Sequence, residues 1–430
     1  MIGNVFSVLQ RIPRLGFSSL VLLVAVAIVG ARAGEPEIEV EAQSSSRVPT
    51  ADLLSASLIK NKAYTLSPET LIYRGVALYE MESEFGRSTL VGDRGLMERI
   101  DELSAIEQLR AMKRSKVFGD ALKKSGKAPV ETFKNLADEP VDTMKNIGRG
   151  LGGFLSDVGY SIVSDDPNQE NAAKTATGFA AAKRQFAYAL GVSPYSSFQP
   201  LQDELSEVAW TAVGGGLTVS LGFSEIGGAA GTVVRTSKTA ESMRGLVRDN
   251  SPRKLQNINY DKLRGMGISD ALAEAMLDNF NYDPENETRL IGALASMEGV
   301  AGRELFIQRA ALQDQHYNAR LMREWAELFA AYHANIRRIK AIMVIETAPY
   351  LMLEEGVVFG LFPADYVTLD PTFEARNAAS IAAIRALGLE PGEAWVTGKV
   401  DPRMKPVLFE IGWKRVSGDA EKLLGLTEDS

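Results

Sequence analysis

Cysteine is absent, and histidine occurs only twice in 430 residues. Without thiols the chain holds no disulfide, thiolate nucleophile, iron–sulfur cluster or cysteine-bound zinc. His316 and His333 are seventeen residues apart. On one helix they would point about 100° apart around the axis, so they do not converge on a metal. His316 sits in the polar run Gln313–Tyr317 and reads as solvated; His333 follows Tyr332 and reads as flanking a core. The sequence has no HExxH, no GxxxxGK[ST] loop and no GxSxG elbow. SxxK occurs at Ser57–Lys60 and Ser251–Lys254, but the KTG element that accompanies it in penicillin-recognising enzymes is missing.

Positive charge is scarce as well. The formal net charge is −8, and residues 1–33 carry three arginines and no acids, so the remainder stands at 44 basic against 55 acidic residues, or −11. That balance excludes bulk nucleic-acid binding. With 45% hydrophobic and 24% charged residues the chain is a folding one, long enough for two or three domains.

Residues 1–33 read as a secretory leader: Arg11 and Arg14 precede an apolar run from Leu15 to Gly30, and Ala31-Arg32-Ala33 forms an A-x-A cleavage site. The run is short of the roughly twenty residues a membrane span needs. The expected mature chain starts at Gly34 and is periplasmic or released. Residues 34–60 read as a linker, acidic then serine-rich, followed by one short helix at Ala51–Lys60.

The segment 61–250 opens with two or three antiparallel strands over Thr70–Val91, after which Asp93 is expected to cap a helix bearing Leu96, Ile100, Leu103, Ile106, Leu109 and Met112. Arg110–Arg149 is the one basic stretch, with ten Lys/Arg against five Asp/Glu. Its continuation has an apolar helical face that includes Leu151, Phe154 and Val158. Gly148, Gly150 and Gly153 match GxGxxG, but an amphipathic helix precedes them where a dinucleotide site needs a strand. A further helix is expected at Ala172–Leu190. Val208–Val234 holds seven glycines and one charge, and fits a small-residue helix or a glycine-turned strand pair.

Residues 251–346 read as a helical body: a polar connection at Ser251–Arg264, helices near Ser269–Phe280 and Asn286–Glu298, and one long helix over Gly302–Ile345. The alternating oxygens of Asn279, Asn281, Asp283, Glu285 and Glu287 resemble a calcium loop, but Pro284 and Leu290 stand where an EF-hand needs Gly and Glu. Glu285 or Asn286 is expected to cap the next helix. Residues 347–430 follow a β-α-β-α-β order, a small α/β unit with parallel strands.

The fold expected is α+β and mostly helical. Three functions fit it. The first is an exported cell-envelope protein of interaction or structural type, without cofactor or metal. Its partner is an envelope protein, or an anionic membrane surface met through Lys134, Lys145, Arg149, Leu151 and Phe154 within 110–158. The second is a secreted hydrolase using Asp365 and Asp401 at the carboxyl ends of the parallel strands. The third, a membrane-inserting toxin-like protein, requires Val208–Val234 to cross a bilayer, and each half is too short.

Overall fold

Arg74 and Gly75 both take positive φ, 54° and 86°, and close a two-residue hairpin. This is the type I′ geometry whose twist matches the flanking strands. In the computed structural model, which describes residues 45–125, 167–215, 238–354, 356–418 and 420, the hairpin joins β3 (Glu69–Tyr73) to β4 (Val76–Ser83). β4 also pairs with β2 (Tyr64–Leu66) and β5 (Gly86–Val91), and β1 (Ser45–Pro49) lies along β3, all antiparallel. The end of the expected linker is therefore a strand, held by backbone pairing that its serine-rich composition does not announce. The single helix expected at Ala51–Lys60 is two four-residue turns, α1 (Thr50–Leu53) and α2 (Ala56–Ile59).

α3 (Gly92–Lys113) carries the expected apolar stripe. Leu96 and Leu103 enter the core of the sheet with Tyr79 and Met81. Ile106, Leu109 and Met112 enter a second core with α4 (Lys116–Ser125), α5 (Pro167–Ala189) and α6 (Gln199–Gly215). Asp93 does not cap α3. Val91 holds the cap position without a side-chain bond, and the Asp93 carboxylate accepts the Tyr79 hydroxyl at 2.6 Å. α6 makes Val208–Gly215 helical; residues 216–234 of the glycine-rich stretch lie outside the described residues.

Six helices follow: α7 (Lys238–Asp249), α8 (Pro252–Gly265), α9 (Asp270–Leu277), α10 (Pro284–Ala295), α11 (Arg303–Ala311) and α12 (His316–Asn335). Leu263, Ile291, Leu294, Phe306 and Phe329 share their core. Two expectations change here. Ser251–Arg264 is not a connection but α8, with Pro252 in its first turn and the Ser251 hydroxyl accepting from the Lys254 N–H. The second SxxK match is thus a helix cap. The run Gly302–Ile345 is not one helix but α11, α12 and a strand. The break after Ala311 comes from elsewhere in the chain: the Asn279 amide donates to the carbonyls of Ala311 and Gln313, at 3.2 and 2.8 Å.

The C-terminal sheet has the order β12 (Arg415–Ser417), β10 (Glu390–Val396), β8 (Val357–Phe362), β7 (Ala348–Glu354), β6 (Ala341–Ile345). β8, β10 and β12 are parallel, crossed over by α13 (Pro371–Ala386) and α14 (Met404–Ile411), as the alternation of elements predicts. β6 and β7 add an antiparallel hairpin, so the sheet is mixed. Ile381, Ile384 and Leu408 cover one face. Phe329 and Tyr332 of α12 cover the other, where the Tyr332 ring lies 5.0 Å from Phe359 and 5.7 Å from Trp395. A two-residue parallel ladder joins β9 (Tyr366–Val367) to β11 (Lys399–Val400).

Gly302 links body and sheet. It stands at φ 78°, next to the bridge from Ala301 to β6, and a Cβ there would lie 2.0 Å from the Ile342 carbonyl oxygen. Gly302→Ala is expected to destabilise the protein by about 2–4 kcal/mol, through strain and a forced backbone shift. An unchanged denaturation midpoint would contradict this reading of the contact.

Candidate functional site

The parallel strands place both hydrolase candidates where an open α/β sheet offers ligands, just beyond strand carboxyl ends. Asp365 follows β8 and precedes β9; Asp401 follows β11. They flank opposite ends of the β9–β11 ladder.

Asp365 is filled by the N-terminal sheet. Its backbone N–H donates to the Gly75 carbonyl at 2.9 Å, and the Tyr366 N–H donates to the same oxygen at 3.1 Å. Its carboxylate accepts the Ala77 N–H at 2.8 Å and the Asp93 N–H at 3.0 Å. The type I′ hairpin therefore sits against the loop in which a ligand of the α/β unit would be held. Burial, then the neighbouring Asp93 charge, push the Asp365 carboxyl well above the usual carboxylate range, against the two N–H donors. Tyr79, buried and bonded to Asp93, has its hydroxyl pushed up by the same two causes.

Asp401 is buried too, with 4% of its surface exposed, and is engaged locally. It accepts the Arg403 N–H at 2.9 Å and pairs with the Arg403 guanidinium at 2.6 Å, shaping the turn into α14. Hydrogen bonding to Arg403 holds its carboxyl below the usual range.

An ion network extends from this junction along α3, α10 and α12. Glu327 bonds Arg289 at 2.7 Å and Arg94 at 3.1 Å. Arg323 lies 3.3 Å from Glu324 and 3.5 Å from Glu98, and Arg320 lies 3.5 Å from Glu98. Arg320 also donates to the Val91 carbonyl, tying α12 to the end of β5. Burial would raise the Glu327 carboxyl, but Arg289, Arg323 and Arg94 hold it down to about 2. The sequence shows only the four-apart pairs within single helices, such as Arg320 with Glu324 and Arg323 with Glu327; the contacts between helices were not legible in it.

The other candidates are similarly spent. Asp283, not Glu285 or Asn286, caps α10, accepting both of their N–H groups at 2.8 Å. No group of three His, Asp or Glu among the described residues is arranged to hold a metal ion. His316 is exposed, and its Nδ1 lies 3.1 Å from the Asn281 carbonyl oxygen. His333 is buried and accepts the Ile339 N–H at 3.1 Å. In the basic stretch, Arg110 pairs with Glu84 and Glu204, and Lys113 with Glu204 and Glu207. Lys134, Lys145, Arg149, Leu151 and Phe154 lie outside the described residues, as do Ala31, Ala33 and the GxGxxG match.

No family model matches the sequence, no curated protein matches it, and no solved structure matches its fold.

Two outcomes follow from these assignments. Asp365→Ala orphans two N–H donors, that of the buried Ala77 and that of the half-buried Asp93, and is expected to cost about 2–4 kcal/mol, whereas Asp401→Ala, which loses one local turn bond and an ion pair to the exposed Arg403 guanidinium, costs about 1 kcal/mol. Denaturant melts of both variants check the order; equal losses would remove Asp365 from its anchoring role. The second outcome concerns Glu287, buried with its Oε1 2.8 Å from the Asn259 amide. Burial raises its carboxyl from 4.5 to about 8. Across that window the folded state keeps a proton that the unfolded chain has released, so this group's contribution to stability falls as pH rises. Glu287→Gln is therefore expected to match its parent near pH 4.5 and to exceed it progressively up to pH 8, by on the order of 3 kcal/mol. A pH-independent difference would refute the assignment.

Proposed function

We propose that the protein is an exported cell-envelope protein of interaction or structural type, acting by binding and not by catalysis. One observation carries this reading: the N-terminal hairpin occupies the loop beyond β8, and Asp365 spends both carboxylate oxygens on its backbone. Asp401 is likewise committed to Arg403. The leader pattern of residues 1–33 supports export, and a cysteine-free chain is compatible with that route.

Membrane contact is the finer part of the proposal. Among the described residues no helix is long and apolar enough to cross a membrane. The described start of the basic stretch, through Ser125, places Met112, Phe118 and Ala121 in a core. Contact with an anionic surface is therefore assigned to Lys134, Lys145 and Arg149 with Leu151 and Phe154, on their sequence pattern alone.

Expression of the full chain with a C-terminal tag, fractionation and N-terminal sequencing test the export. The expected product begins at Gly34 outside the cytoplasm; a cytoplasmic product still carrying residues 1–33 would overturn it. Flotation of Gly34–Ser430 with vesicles tests the surface. Binding to anionic but not neutral vesicles, lost at high salt and on Lys145→Glu with Arg149→Glu, is expected. Absence of flotation at low salt would leave protein partners only.

A further inference from the structure

Between α13 and α14 runs an open groove of about 440 Å³. Ala375 and Ala378 of α13 and Val407 and Ile411 of α14 line it with apolar surface, and two carboxylates, Glu374 and Glu410, complete the lining. The outer face of α13 continues that surface. Ala375, Ala378, Ala379, Ala382 and Ala386 are all exposed, and their spacing puts them on one side of the helix. An exposed helix face ordinarily carries charged and polar side chains. The opposite side, with Ile381 and Ile384, is already buried in the core of the α/β unit.

The charges beside this face are unanswered. Among the described residues, Glu374, Glu410 and Arg385 form no ion pair. Glu374 and Arg385 are eleven residues apart on α13. That is about 1,100° of rotation, which puts them within about 20° of the same flank and about 16 Å apart along the axis. The flank faces α14: Glu374 lines the groove, and a Cβ on Gly412 would meet the Arg385 guanidinium at 2.5 Å. The exposed alanines run from Ala375 to Ala386 and so share their midpoint, near Ser380, with the two charges. One end of the flank is negative and the other positive, with an uncharged face centred between them.

We propose that a second copy of the chain docks here, α13 on α13 in antiparallel sense, with Arg385 of each copy reaching Glu374 and Glu410 in the other's groove. A two-fold axis lying across the helices reverses their ends and keeps the flank, so each Glu374 meets the other copy's Arg385. A parallel pair would put the two flanks on opposite sides and leave the charges unanswered. Antiparallel packing also opposes the helix dipoles, and alanine lets the two axes approach to about 8 Å. The contact is isologous, so it closes at two copies. A 16-residue helix is about 24 Å long, a smaller patch than a permanent interface uses, so association is expected in the micromolar range. The contact goes beyond export and the basic stretch and depends on neither.

The test is sedimentation equilibrium on the protein purified after expression of the full chain, and the expected result is a monomer–dimer equilibrium. Ala382→Arg sets a charge in the middle of the exposed face and is expected to weaken the dimer about tenfold or more. Ala275→Arg, at an exposed alanine of α9, leaves it unchanged. Glu374→Arg and Arg385→Glu each bring like charges together and weaken it about tenfold, while the two combined restore it to within about threefold. None of these side chains is buried, and unchanged denaturation midpoints identify the variants as folded. A monomer at every concentration up to about 100 µM overturns the proposal and leaves the groove to a partner of different sequence. A dimer that Ala382→Arg leaves intact, or that the double reversal fails to restore, overturns it as well.

Discussion

The fold depends on one carboxylate meeting two backbone donors. Asp365 lies 288 residues beyond Ala77 and 272 beyond Asp93, and bonds both. Its own N–H completes the set by donating to Gly75. An extended strand end could supply the N–H but not two further acceptors aimed along the chain; an asparagine could supply only one acceptor. Burial disfavours the charge, and the nearby Asp93 carboxylate disfavours it further, so the arrangement stands because the donors are fixed and the alternative is to orphan them. The Tyr79 hydroxyl draws the Asp93 oxygen to itself and moderates the conflict.

The ion network serves the same end by other means. Exposed pairs contribute little, and buried pairs often do no better than packed hydrocarbon. What the arginines of α10 and α12 offer is geometry. Glu327 is reached by Arg94 from α3, Arg289 from α10 and Arg323 from its own helix. A shift of any of these helices by one turn would strand a buried charge, so the network selects one register among the apolar packings available. That is a specificity argument, and it explains why three helices with ordinary leucine and phenylalanine cores also carry so many charges inward.

The local signals in the sequence were readable and mostly correct. The antiparallel strands within Thr70–Val91, the stripe from Leu96 to Met112, and the β-α-β-α-β alternation from β8 to β12 all rest on local patterns. Ser251-Pro252 was equally local, yet the helix it starts is mostly polar, and periodicity alone reads such a run as a connection. The failures share a cause. The run 302–345 has no internal glycine or proline beyond its first residue, and its break after Ala311 is made by Asn279 from another loop. β1 exists because β3 offers an edge. Asp365 was placed correctly at a strand end, while its partners lie almost three hundred residues upstream, where no spacing rule reaches.

Charge placement connects these points. The chain is acidic overall, at −8, while Arg184, Arg289, Arg320 and Arg323 are largely withdrawn from solvent. Such a body does not attract anions from a distance; its mean field repels them. Three of those four arginines meet glutamates inside, and their charge is consumed in holding helices. Arg184 meets the backbone instead, donating from Nε to the Arg248 carbonyl at 3.2 Å and so tying α5 to the end of α7.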